Sequence, residues 1–111
     1  MKARIWHNPR CSKSRETLAI LQDAGAEVEI VEYLRTPPDA DELARVFARG
    51  GLSPAQVLRK SEPGAKGLTG ADDAAILAAM AADPILIERP LVETEKGVRM
   101  GRPPESVREI L

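Results

Sequence analysis

The first 34 residues have the pattern of a strand, a helix and a second strand, and this order constrains the fold more than any other feature. A short strand is predicted over 3–7, where Asn8-Pro9-Arg10 then breaks it. A helix is predicted over 12–24, with Gly25 as its C-terminal stop. A second strand is predicted over 27–34. The opening of the chain is therefore a β-α-β unit.

The middle of the chain is predicted to be helical. Thr36-Pro37-Pro38-Asp39 is a helix-start signal in which the Thr36 hydroxyl serves as cap, and Gly50-Gly51 ends that helix. Ser53-Pro54-Ala55-Gln56 has the pattern of a capping box. The further predictions are a short helix ending near Arg59, a loop over 61–70 and a helix over 72–82 that Pro84 stops.

The end of the chain completes the fold prediction. Two short strands over 91–93 and 98–100, joined by 94–97, indicate a hairpin, and a last helix follows Arg102-Pro103-Pro104-Glu105. The element order is β-α-β, a helical insert, then β-β-α. That order is typical of a thioredoxin-like fold, an α/β architecture with a mixed four-stranded sheet. With 111 residues, we expect a single domain spanning 1–111.

Composition excludes several classes of function. Hydrophobic residues make up 43% and charged residues 30%, as in a globular protein. With one Trp, one Tyr and one Phe, the chain has few aromatic rings on which nucleic-acid bases could stack. A net charge of -1 does not provide the positive electrostatic field that attracts nucleic acid. No signal peptide and no apolar run of ~20 residues is found, so we expect a cytoplasmic protein without membrane or nucleic-acid partners.

The single cysteine, Cys11, immediately precedes the first predicted helix. It excludes an internal disulfide and a Cys-rich zinc site, and with His7 as the only histidine we expect no metal and no bound cofactor. Helix N-termini favour negative charge, and Arg10, Lys13 and Arg15 add positive charge, so the sequence predicts a reactive thiolate. His7 is either a stabilising imidazolium or a polar residue closing the strand. The alternative for Cys11 is a buried, inert thiol.

Three arginines come at element ends, next to prolines or helix termini: Arg59, Arg89 and Arg102. Arginine presents a planar fork of donors that suits oxyanions, although any one of the three taken alone is more often a solvated surface residue. In a thioredoxin-like fold the turn at Arg89-Pro90 meets the loop after the first strand. Arg89 is therefore expected to face Cys11.

These residues carry a resemblance that runs over nearly the whole chain. The segments that carry it are His7 to Leu18, Leu58-Arg59-Lys60, Glu88 to Val92 and Gly101-Arg102-Pro103-Pro104-Glu105. In this order the chain resembles the glutathione/glutaredoxin-linked arsenate reductase family. The first and last segments are the most specific.

The resemblance implies an activity and a set of site residues. The cysteine at position 11 attacks arsenate, glutathione reduces the adduct, and glutaredoxin resolves the mixed disulfide. Glutathione is then a co-substrate and the protein is expected to be a monomer. His7, with Arg15 nearby, would help to depress the thiol pKa, and Arg89-Pro90 would be a cis peptide. The residues that would bind the oxyanion are Arg59, Arg89 and Arg102.

Two other classes of function stay open on the sequence. A monothiol redox protein acting on glutathionylated partners needs Cys11 but not the three arginines. A redox-linked regulator that binds RNA polymerase is a similar protein, but it usually carries Cys-x-x-Cys where this chain has Cys11-Ser12-Lys13-Ser14. Release of arsenite in the presence of glutathione and glutaredoxin would separate the enzyme from both.

Overall fold

The computed structural model describes all 111 residues, Met1 to Leu111. The chain forms two compact units, one made of 1–36 together with 89–111 and the other of 37–88. The second unit corresponds to the helical insert that the sequence predicts between the two halves of the fold.

A four-stranded mixed sheet forms the centre of the first unit, in the order β2-β1-β3-β4. Strand β1 pairs in parallel with β2 and antiparallel with β3, and β3 pairs antiparallel with β4. The predicted mixed four-stranded sheet is thereby confirmed. The strands are β1 (Lys2–Trp6), β2 (Glu27–Val31), β3 (Leu91–Thr94) and β4 (Gly97–Met100).

One face of this sheet is covered by helix α1 (Ser12–Asp23) and by a C-terminal 3-10 segment (Pro104–Ile110). Ile5 in β1 lies beside Val92 in β3, so side chains of adjacent strands share this face. Burial of such aliphatic side chains is the main stabilising contribution available to a core with few aromatic residues. The buried cluster consists of Ala3, Ile5, Leu21, Val92, Val107 and Ile110.

Strand β2 is an edge strand and is shorter than the sequence predicts. The prediction of a strand to residue 34 is wrong at its end, because the backbone N–H groups of Arg35 and Thr36 both donate to the Glu32 carbonyl and turn the chain. Glu27 and Glu29 are exposed on this strand, and the side chain of Ile30 is 47% exposed. The chain therefore leaves the sheet after Val31.

The second unit is helical. Its α-helices are α2 (Ala40–Gly50), α3 (Pro54–Val57) and α4 (Asp73–Ala82), and α4 packs against the other two. The predicted capping box of Ser53 and Gln56 is confirmed. The cap of α2 is Asp39, which accepts from the Glu42 N–H, so the prediction of Thr36 as cap is wrong. The helix begins at Ala40, so the Asp39 carboxylate, and not the Thr36 hydroxyl, is placed to accept from a free N–H group of its first turn.

Short 3-10 segments replace two of the predicted elements. The predicted loop over 61–70 contains the segment Pro63–Leu68, and the predicted last α-helix is instead the segment Pro104–Ile110. A third segment, Pro84–Leu86, follows α4. A search of the helices for one both long and apolar enough to cross a bilayer finds none.

Candidate active site

Cys11 is the N-cap of α1, as the helix-start pattern predicts. The turn before it is fixed by Asn8, whose carbonyl accepts from the Cys11 N–H at 3.0 Å and whose Oδ1 accepts from the Arg10 N–H at 3.0 Å. The Cys11 thiol is free and half-buried. It is therefore held at the end of the helix in a backbone arrangement that hydrogen bonds define.

The thiol is acidified by its surroundings. Burial on its own raises the pKa of Cys11, but the Ser14 backbone N–H, the Arg89 guanidinium and the Lys13 backbone N–H together outweigh burial and lower that pKa below the ordinary value. The sulfur makes no capping hydrogen bond of regular geometry, so the two N–H groups act on it as helix-terminal dipoles. The arrangement favours a thiolate, the nucleophilic form of cysteine.

The positive side chains near Cys11 contribute differently from the sequence-based expectation. Arg15 donates from Nη1 to the Pro9 carbonyl at 2.9 Å, and the Lys13 ammonium lies 3.8 Å from a Glu16 carboxylate oxygen. Lys13 affects the thiol through its backbone N–H and not through its charge. Among the residues that follow Cys11 in the first turn of α1, the groups that lower the pKa of the thiol are therefore the backbone N–H groups of Ser14 and Lys13.

Ser14 links His7 to the thiol loop. The Ser14 hydroxyl oxygen lies 2.7 Å from His7 Nδ1 and accepts from the Asn8 N–H at 3.1 Å, and all three residues are buried. Burial lowers the pKa of His7, an effect that Glu32 opposes and Arg15 assists, so the imidazole is neutral at pH 7. His7 therefore acts on the loop as a hydrogen-bonding group bound to Ser14, and of the two interpretations offered by the sequence the lowered pKa disfavours the imidazolium.

Arg89 brings a guanidinium to the thiol from the other half of the first unit. Its guanidinium lowers the pKa of the Cys11 thiol, while its Nε and Nη1 are buried and have no hydrogen-bond partner. Buried polar groups without partners are rare in folded proteins because each is expensive to desolvate. The Arg89-Pro90 peptide bond that follows is cis. Two donors of Arg89 are thus available to an anion.

Arg102 reaches the same sulfur from the turn after β4. Its Nε donates to the Arg89 carbonyl at 2.7 Å, and its Nη2 lies 3.9 Å from the Cys11 sulfur. Arg102 is exposed, in contrast to the buried donors of Arg89. Three segments that are distant in sequence, those that carry Cys11, Arg89 and Arg102, therefore meet at one thiol. Two of them bring a guanidinium group to it.

Arg59, the third arginine singled out by the sequence, belongs to the second unit. Its Nη1 donates to Glu88 at 2.8 Å, and its Nε lies 3.4 Å from a Glu62 carboxylate oxygen. The backbone around it is also tied, because the Arg59 N–H donates to the Leu86 carbonyl at 2.7 Å. Arg59 is held between two acidic side chains.

Sequence reasoning missed the contributions of Ser14 and Asn8. The signal for Ser14 was present, since a residue three positions after an N-cap places its N–H at the helix end. Asn8 could have been identified as a turn residue because Asn side chains commonly accept from the backbone two residues later.

The arrangement can bind a tetrahedral oxyanion and attack its central atom. A thiolate supplies the nucleophile, and the unpartnered guanidinium nitrogens of Arg89 can supply charge-assisted hydrogen bonds to anionic oxygens. No group of three or more His, Cys, Asp or Glu side chains is arranged to hold a metal ion. The thiolate and the guanidinium groups beside it suit nucleophilic, thiol-based chemistry.

Comparison with known proteins matches this chain over nearly its full length. The model of the ArsC family matches residues 6–110. The Escherichia coli (strain K12) protein YfgD, described as uncharacterized, is 44% identical over 99% of this chain and 97% of its own length. An arsenate reductase of Rhizobium meliloti (strain 1021) is 44% identical over 100% of this chain and 82% of its own.

Solved structures give the same result for the fold. The structure of an arsenate reductase from Vibrio cholerae matches with a TM-score of 0.92 and 46% sequence identity, covering 100% of this chain and 98% of that one. The thioredoxin-like fold predicted from the element order is confirmed by this match.

Proposed function

This chain belongs to the ArsC family, and from that premise we propose that it reduces arsenate to arsenite with Cys11 as the nucleophile. The observation that carries the proposal is Arg89, whose buried Nε and Nη1 have no partner although the same guanidinium lowers the pKa of the Cys11 thiol. An arsenate oxygen would supply the missing acceptor. Its arsenic atom would then lie next to the sulfur that attacks it.

The first step forms a bond between the Cys11 sulfur and As(V), and an arsenate oxygen leaves as water after protonation. A guanidinium that binds the remaining oxygens stabilises the negative charge on them and lowers the barrier to attack by an anion. Arg89 and Arg102 would perform this role from two sides of the sulfur. Arg59 is the third oxyanion-binding residue of the proposal, and its assignment rests on the family resemblance.

The second step requires an external thiol. Reduction of As(V) to As(III) takes two electrons, and Cys11 is the only cysteine in the chain. Attack by an external thiol forms a disulfide with Cys11, and the two electrons released by the two sulfurs reduce arsenic, which leaves as arsenite. We propose glutathione as this thiol, because it is abundant in the cytoplasm where we expect the protein to act. Glutaredoxin would then remove glutathione from Cys11.

The intermediate disulfide gives a direct test. Arsenate and glutathione together, with glutaredoxin left out, should add one glutathione to Cys11, detectable by intact mass, and release one equivalent of arsenite. Glutathione alone should add much less, since it is not an oxidant, and Cys11→Ser should give neither product. Arsenite formed without any adduct would contradict the covalent mechanism.

The same mixture tests the alternative of a monothiol redox protein. If neither arsenite nor adduct forms from arsenate, but a glutathionylated peptide transfers glutathione to Cys11, then arsenate is the wrong substrate.

Addition of glutaredoxin to the arsenate reaction should convert the single turnover into a continuous one.

The ionisation of Cys11 can be measured without arsenate. Because the pKa of Cys11 is lowered, the thiolate persists at pH values where an ordinary cysteine is already protonated, and reactivity is lost only as the pH falls through the lowered pKa. The alkylation rate against pH should therefore have its midpoint below the ~8.5 of a free cysteine. A midpoint at or above that value would show that burial dominates.

A further inference from the structure

Gly101 lies where the three site-bearing segments meet, and it has no room for a side chain. A Cβ built on Gly101 would lie 2.5 Å from Thr17 Oγ1, 3.1 Å from Thr17 Cγ2 and 2.7 Å from Pro90 Cγ. Its φ is not in the left-handed region, since it is not among the glycines with positive φ. The requirement for glycine at position 101 is therefore one of space and not of backbone conformation.

The neighbours of Gly101 cannot easily move away. Thr17 is fully buried in α1, and its hydroxyl donates to the Lys13 carbonyl at 2.7 Å. Pro90 is buried and its ring is rigid, and its carbonyl accepts from the Gly101 N–H at 2.8 Å. To bring the Cβ and Pro90 Cγ to the ~3.5 Å of an ordinary carbon contact, the backbone would have to separate by about 0.8 Å.

Each of these neighbours is connected to the site. Thr17 belongs to the helix that carries Cys11 at its N-cap, Pro90 follows Arg89, and Gly101 precedes Arg102. Arg102 spans this junction already, because its Nε donates to the Arg89 carbonyl at 2.7 Å while its Nη2 is 3.9 Å from the sulfur. The second distance lies at the outer limit for a hydrogen bond to sulfur, so even a small separation would break the contact.

We infer that Gly101 is a positioning residue: the absence of its side chain lets the 101–102 segment lie against Pro90 and Thr17, which holds the Arg102 guanidinium at the Cys11 thiol. The inference rests on the proposed function for its effect on arsenate. Its effect on the thiol does not depend on any substrate.

The first test uses the ligand-free protein. Gly101→Ala should raise the midpoint of the alkylation rate against pH relative to wild type, because the Arg102 guanidinium, whose Nη2 lies 3.9 Å from the sulfur, is withdrawn from the thiolate. Gly67→Ala is the matched control, since a Cβ at Gly67 meets nothing within 4 Å and its φ is not positive. That control should leave the midpoint unchanged. An unchanged midpoint in folded Gly101→Ala would overturn the inference.

The second test separates positioning from general damage to the fold. In an Arg102→Ala background the guanidinium is already gone, so Gly101→Ala should shift the midpoint by less than it does in wild type. Equal shifts in the two backgrounds would mean that Gly101 acts independently of Arg102, and the inference would be wrong. Circular dichroism establishes that each variant is folded.

With arsenate, kcat/KM of Gly101→Ala should fall by on the order of 10–100-fold, the size expected when a reacting geometry is displaced by about 1 Å. If Gly101→Ala does not fold, Gly101→Ala combined with Thr17→Ala takes its place, because it removes two of the three close contacts. A wild-type protein that makes no arsenite would contradict the proposed function, while the alkylation midpoints would still decide the role of Gly101.

Discussion

The guanidinium groups of Arg89 in the first unit and of Arg59 in the second differ in their partners. Arg59 has Glu88 at 2.8 Å and Glu62 at 3.4 Å, so its charge is balanced by its own unit. Arg89 has no ion pair, and two of its buried nitrogens have no hydrogen-bond partner. Position at an element end does not by itself suit an arginine to bind an anion. Under the proposed function, the guanidinium without a carboxylate partner is the better suited of the two.

The energetic difference between the two arginines follows from desolvation. A buried donor left without a partner costs ~1–3 kcal/mol, and more for a charged group. For Arg89 this cost is present in the ligand-free protein, and under the proposed function a bound oxyanion would recover it. For Arg59 the buried Nε also lacks a hydrogen bond, but Glu88 at 2.8 Å and Glu62 at 3.4 Å balance the charge of its guanidinium, so binding of an anion would have less to recover.

The largest effect is expected for Arg89→Lys. Lysine keeps the charge but loses the planar fork, and it cannot fill both unpartnered positions. By analogy with removal of one oxyanion-binding donor, kcat/KM for arsenate should fall by ~10²–10³-fold. Steady-state arsenite production, with circular dichroism to check the fold, measures it. If Arg89→Lys kept full activity, the proposed difference between Arg89 and Arg59 in anion binding would be wrong.

A smaller effect is expected for Arg102→Lys. Arg102 is exposed and already uses one donor on the Arg89 carbonyl, so fewer charge-assisted bonds are at stake. Loss of one such bond, about 1.5 kcal/mol, corresponds to about a tenfold fall in kcat/KM. Arg108→Lys, an exposed arginine on the C-terminal segment, is a suitable control and should behave as wild type. An Arg102→Lys variant more damaged than Arg89→Lys would reverse the ranking.

The smallest effect is expected for Arg59→Lys. Its Nη1 is committed to Glu88 and its Nε lies within ion-pair distance of Glu62, so a lysine that keeps one ion pair should lower kcat/KM by only about two- to fivefold, equivalent to a partly exposed ion pair. The same assay decides the matter. A loss of kcat/KM as large as that of Arg89→Lys would mean that Arg59 releases its glutamates to bind the oxyanion. The proposed difference between Arg59 and Arg89 would then be wrong.

Local signals explain which parts of the fold could be predicted. The capping box at Ser53 and Gln56 and the helix start at Cys11 depend on residues three or four apart, and both predictions are confirmed. The end of β2 depends on a turn closed by the Glu32 carbonyl, for which no proline or glycine gives a signal. Preference for a 3-10 segment over an α-helix at the C-terminus is likewise not encoded in the hydrophobic spacing.

The site was predictable in its residue types but not in its contacts. Cys11 and the arginines follow from spacing and from the family resemblance. The binding of His7 to Ser14, the role of Ser14 in acidifying the thiol and the close approach at Gly101 depend on how distant segments pack. No sequence pattern reports that a Cβ at position 101 would overlap with Thr17 and Pro90.

The exposed edge of the sheet at β2 has a consequence for association between copies of the protein. An unpaired strand edge offers free N–H and C=O groups to any other strand, and Ile30 adds apolar surface there. Glu27 is exposed on the same strand, while Glu29 already pairs with Arg4 at 2.7 Å, so two copies that pair edge to edge would bring the like charges of their Glu27 carboxylates into one interface. This repulsion opposes aggregation through β2 and weakens as salt screens it.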